Sequence, residues 1–146
     1  MGYWGYGVFQ NDFVGDWVID LIESDSMNLI EEAIQLPLKD AFIEADTASI
    51  AIGAIEILLA LQVTTNRKQN LKEIHSWEYE ELEEWIENHK GQGGNLLVDA
   101  HRALVKIIAE SELAELWKDS DQHNNWLKTV KDLENRLSQT SREITG

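Results

Sequence analysis

Thr47-Ala48-Ser49-Ile50-Ala51-Ile52-Gly53-Ala54-Ile55-Glu56-Ile57-Leu58-Leu59-Ala60-Leu61-Gln62 is the most apolar run in the chain. Wound as an α-helix, it carries apolar side chains on nearly every side, so no face of it can be left to water. Such a helix has to be enclosed by others. The stretch therefore predicts an all-α, compact bundle of about six to seven helices around a central apolar helix at residues 47–62. Its most apolar part, Ala48 to Leu61, is short for a bilayer span and includes Glu56, so a core helix is expected rather than a membrane one.

The flanking sequence supplies the enclosing helices. Residues 12–24 place Phe13, Val14, Trp17, Val18, Leu21 and Ile22 on one side, with Asn11 or Asp12 able to cap the start. Met27 to Leu36 turns Leu29, Ile30, Ala33 and Ile34 inward, and Pro37, the chain's only proline, is expected to close that helix. Leu38 to Ile43 is ambiguous between helix and strand. Thr64 to Asn70 reads as a polar loop. Trp77 to His89 is helical with Tyr79, Leu82 and Ile86 inward, and Gly91-Gln92-Gly93-Gly94 ends it.

Leu96 to Glu110 forms a fifth helix, and Ser111 is placed to cap a short sixth running through Trp117. The last helix, about Asn124 to Gln139, carries Trp126, Val130, Leu133 and Leu137 at intervals of four, three and four. Residues 140–146 are expected to fray. There is no internal repeat, linker or low-complexity tract, so residues 1–146 read as a single domain. Its length suits one hydrophobic core.

Charge is the strongest compositional feature. Twenty-seven acidic against twelve basic side chains give a net charge of −15. Residues 1–100 hold 19 acidic and 5 basic side chains, a difference of −14, whereas residues 101–146 hold 8 and 7. A field of this sign repels nucleic acid and anionic membranes and attracts basic proteins or cations. The absence of cysteine excludes disulfides and thiolate metal sites. No secretory signal is visible at the N-terminus, which makes the cytoplasm the expected compartment.

Three constellations could carry function. On the first helix Asp12, Asp16, Asp20 and Glu23 fall within about 80° of one another, opposite the apolar face. Without an interleaved base they repel, and solvation, a hard cation such as Mg²⁺ or Ca²⁺, or a basic partner would each relieve this. Glu78, Glu80, Glu81, Glu83, Glu84 and Glu87 make a second acidic block, in which Glu80, Glu83, Glu84 and Glu87 fall opposite Leu82 and Ile86. The third is Glu56, the only ionisable residue between Asp46 and Arg67. A buried carboxylate must be paired, hydrogen-bonded or neutral. His101, on the apolar side of its helix between Leu97, Leu104 and Ile108, is a candidate partner. Such a pair can do acid–base work, though a structural polar contact is the commoner use. The four histidines show no zinc spacing, and no nucleophile elbow or nucleotide fingerprint is present.

The opening segment, residues 2–11, alternates glycines with aromatics. Gly2, Gly5 and Gly7 permit a tight backbone while Trp4 and Phe9 dock on the core. As Gly-x-Trp-Gly-x-Gly-x-Phe-x-Asn-Asp it continues into Asp16-Trp17 and Asp20-Leu21. Later come Ser111-Glu112-Leu113-Ala114-Glu115-Leu116-Trp117, Trp126, and Leu133 through Leu137. Together these resemble the bacterial proteins catalogued as domain of unknown function 4259. The resemblance spans most of the chain and is weakest over residues 64–94. It places Asn11, Asp12, Asp16, Asp20, Trp17 and Trp117 within the family's pattern. Gln10 and Val8 stand where the family has an acidic residue and a proline, which counts against a metal site in the loop itself. The resemblance implies a compact domain and supplies no activity.

The function expected from these features is non-enzymatic. Acidic helix faces engage, and in the manner of an immunity protein neutralise, a basic protein. The alternative is a divalent-metal protein or metal-dependent hydrolase using Asp12, Asp16 and Asp20, with Glu56 as a further carboxylate.

Overall fold

In the computed structural model, residues 12–24, 26–62 and 76–145 are described; the side chains of residues 12, 76–79 and 141–145 lie outside that description. Seven α-helices occur among them: α1 (Asp12–Glu23), α2 (Asn28–Lys39), α3 (Ala45–Gln62), α4 (Ser76–Asn88), α5 (Leu97–Glu110), α6 (Glu112–Lys118) and α7 (His123–Thr145). A 3-10 turn, Gly94–Leu96, leads into α5. The expected opening segment, the Asn11 cap and the 64–70 loop lie outside the described residues.

The all-α expectation holds, and α3 is the central helix. It packs against each of the other six. Fourteen of its eighteen residues, from Ala45 to Leu61, are buried, Glu56 among them. By length and composition α3 could cross a membrane, but 78% of it is covered inside this fold by protein. Around it lie Val14, Val18 and Leu21 of α1, Ile30 and Ile34 of α2, and Leu82 and Ile86 of α4. Ala103, Leu104 and Ile107 of α5 and Leu133 and Leu137 of α7 complete the core, all essentially solvent-free. Trp17 is buried, and Trp117 is half-buried against the same core. Phe13 departs from the inward set: it lies at the edge of the α1 apolar face, 37% exposed.

Pro37 does not close α2. It sits buried inside the helix, which continues to Lys39. A proline in the last turn of a helix deprives its i−4 carbonyl, here that of Ala33, of a donor. Here that turn is fastened from outside: Lys106 Nζ of α5 donates to the carbonyls of Pro37 (2.8 Å) and Asp40 (2.5 Å). The ambiguous stretch after it resolves into a single bridge, Ile43 to Ser111, with the Glu112 amide donating to the Ile43 carbonyl at 2.9 Å. Ser111 caps α6 as its position predicts, its Oγ accepting from the Ala114 amide at 3.0 Å. The last helix extends to Thr145, beyond the Gln139 end expected, and Thr140 is buried.

Between α4 and α5 the chain turns on two left-handed glycines, Gly91 and Gly93, both at φ 87°. The Gly91 amide donates to the Leu61 carbonyl at the end of α3 (2.8 Å), which seats the turn on the central helix.

Candidate functional site

The α1 and α4 helices pack against each other, which brings the two acidic faces predicted from sequence onto neighbouring elements. On α1, Asp16, Asp20 and Glu23 are exposed. On α4, Glu80, Glu84 and Glu87 are exposed and Glu83 is half-buried. The side chain of Asp12 lies outside the described residues.

Where the C-terminal end of α1 meets α4 there is a cleft of about 530 Å³, lined by Ile22, Glu23, Ser24, Glu81, Glu84, Trp85, Asn88 and His89. Its inner wall is aromatic. The Trp85 indole stacks on the His89 imidazole, with ring centroids 4.0 Å apart and planes inclined by 18°. Both are buried. Trp85 Nε1 donates to the Ser24 carbonyl at 2.6 Å, tying α4 to the end of α1. His89 Nδ1 lies 2.8 Å from the Trp85 carbonyl, an oxygen that only accepts, so Nδ1 is the donor in that contact.

The cleft joins Glu23 and Glu84 of the predicted set. Asp16, Asp20, Glu80, Glu83 and Glu87 lie outside its lining, and Glu87 is 3.5 Å from Lys90. Sequence reasoning had Glu81 in the second acidic block but not on its exposed face, and missed Trp85 and His89 as lining residues. The readable signal was the four-residue spacing of Trp85 and His89, which stacks them on one helix face beside the acids. Three carboxylates beside an indole suit a cationic group with an alkyl or planar stem. Among the described residues no group of three or more acidic or histidine side chains is gathered so as to hold a metal ion.

Glu56 and His101 do not form the expected pair. Glu56, fully buried on α3, is met by the guanidinium of Arg136 on α7, at 2.5 Å from Nη1 to Oε1 and 3.0 Å from Nη2 to Oε2. Arg136 Nε donates in turn to Asp132 at 2.9 Å. Burial works against the charge on Arg136, but the hydrogen bonds and charge of Glu56, with Asp132 behind them, outweigh it. The guanidinium is held above its ordinary pKa. His101 lies at the edge of α5, its side chain 42% exposed, with Nε2 3.3 Å from Glu134 and 3.5 Å from Ser138 Oγ, both on α7. Both contacts fall on the same ring nitrogen and join α5 to α7 at a partly open surface.

The family model described as Domain of unknown function (DUF4259) matches residues 2–129. No curated protein and no solved structure matches the chain.

Proposed function

Since the chain belongs to the DUF4259 family, whose description assigns no activity, we propose from its own surface that it is a protein-binding domain for a basic partner. The acidic face of α1 and α4 is the binding surface, and the cleft between them receives a lysine or arginine side chain. Binding there covers the partner's basic surface, which is how the domain would neutralise it. The observation that carries this reading is the packing of α1 on α4, which puts Glu23, Glu81 and Glu84 around one cleft with Trp85 as its wall. Carboxylates supply attraction and orientation, while the small exposed part of Trp85 gives an alkyl stem an apolar surface to pack on.

Affinity capture from cell lysate with the wild-type domain and a Glu23→Lys/Glu84→Lys variant, each at low and high salt, tests it. A basic protein retained only by the wild type and only at low salt is the expected result. Retention by the variant, or retention indifferent to salt, overturns it. If Mg²⁺ or Ca²⁺ instead raises the melting temperature, and Asp16→Asn abolishes the rise, the carboxylate–metal reading takes its place.

A further inference from the structure

We propose that the Glu56–Arg136 pair is a register lock that selects one axial position for α7 on the bundle. Apolar packing by itself leaves that position under-determined. The buried seam of α7 is Trp126, Val130, Leu133, Leu137 and Thr140, a repeat of four, three, four and three residues. Its central members Val130, Leu133 and Leu137 are close in size, so a slip of one turn or one heptad sets apolar side chains against apolar side chains again. Of the two helices that α7 packs on most, α5 and α3, the latter gives little discrimination, because it is apolar around most of its circumference.

A buried charged pair breaks this degeneracy. Glu56 is fully buried, and both carboxylate oxygens are engaged by the two terminal nitrogens of Arg136. The fork is itself aimed by Asp132, one turn earlier on α7, which accepts from Nε. A slip of one turn would carry the guanidinium about 5.4 Å along the axis. It would then leave a carboxylate without its counter-ion where no solvent reaches. Buried polar groups elsewhere fix register by the same penalty on the alternatives. His101 of α5 facing Glu134 of α7 adds a second, more exposed key that agrees with the same register. The family match ends at residue 129, inside α7, so Glu56 lies within the matched residues while the arginine that answers it lies beyond them.

The natural chain has no cysteine, which allows a clean test. Cysteines introduced at the exposed positions Arg102 on α5 and Asn135 on α7 would carry spin labels, and their separation would be measured by pulsed dipolar spectroscopy. With Glu56 and Arg136 in place, one narrow distance is expected. In the Glu56→Met/Arg136→Met variant, which fills the site with apolar groups, thermal melting stays cooperative. The distance distribution broadens or splits, with a second population displaced by up to about 5 Å, one helical turn. A single narrow distance in that variant overturns the proposal, because packing alone would then set the register. A variant that no longer folds overturns it too, because the pair would then be required for folding itself.

Discussion

Gly91 and Gly93 share a backbone conformation, φ 87°, yet differ in what surrounds them. A Cβ on Gly91 would meet nothing within 4 Å. One on Gly93 would stand 2.6 Å from Met27 Cε and 2.7 Å from Leu58 Cδ1. Gly91→Ala should therefore cost only the left-handed penalty, about 1 kcal/mol. Gly93→Ala should cost that plus about 1–3 kcal/mol of overpacking against a fully buried leucine. Urea midpoints of the two variants check this, and equal losses would refute the crowding argument. Arg136 gives a second residue-scale prediction. Arg136→Met strands the Glu56 carboxylate, and removing one partner of a buried pair costs about 3–5 kcal/mol. The folded pKa of Arg136 is raised. Its contribution is therefore complete below the unfolded value and lost only as pH climbs through the folded one. Both lie far above neutrality, so titration of Arg136 should not narrow the stability gap between wild type and Arg136→Met from pH 7 to about 10. A gap that narrows across that range would place the titration elsewhere. At this scale the sequence marked Glu56 as a residue needing a partner, since it lies alone in an apolar helix. It could not name Arg136, which is 80 residues away and joined to it only by the packing of α7 on α3.

At the scale of elements, Ser111 and Glu112 together join three helices. The buried Ser111 hydroxyl donates to the Ile107 carbonyl at 2.6 Å and accepts from the Ala114 amide at 3.0 Å, closing α5 and opening α6. The next residue, Glu112, accepts from the Ala45 amide at 2.8 Å, at the start of α3. Ser111→Ala should cost about 1–2 kcal/mol, the loss of a cap together with an unpaired buried carbonyl. Amide exchange at Ala114 should quicken more than at residues deep in α5. Unchanged exchange there would mean that tertiary contacts, not the cap, start α6. Elements were the most legible level. A cap followed by a periodic run gave α6, and the four–three–four spacing gave α7, because both signals are local. The end of α2 was not legible: its last turn is tied by Lys106 of another helix, a contact that no local pattern encodes. His101 illustrates the same limit. Periodicity put it on the apolar side of α5, but the neighbour along that edge is the polar Glu134 of α7.

For the molecule as a whole, the consequence of −15 is set by where the charges gather. The candidate cleft was legible only in part. Composition along α1 and α4 named Glu23 and Glu84, but their meeting depends on α1 packing against α4, which no local pattern encodes. That meeting has an energetic cost in the free protein, since Glu81 and Glu84 lie three residues apart on one helix and share the cleft with Glu23. A surface built to attract a basic partner should repel itself until that partner, or salt, arrives. The melting temperature should therefore rise as NaCl is added, because the screening length falls from about 10 Å at 0.1 M to about 3 Å at 1 M. Glu81→Gln/Glu84→Gln should melt higher than wild type at low salt, and the two curves should converge at 1 M. Convergence would locate the repulsion in this cleft. A wild-type melting temperature that is flat or falls with salt would mean that these carboxylates are already compensated inside the fold. The electrostatic attraction on which partner binding depends would then lose its source.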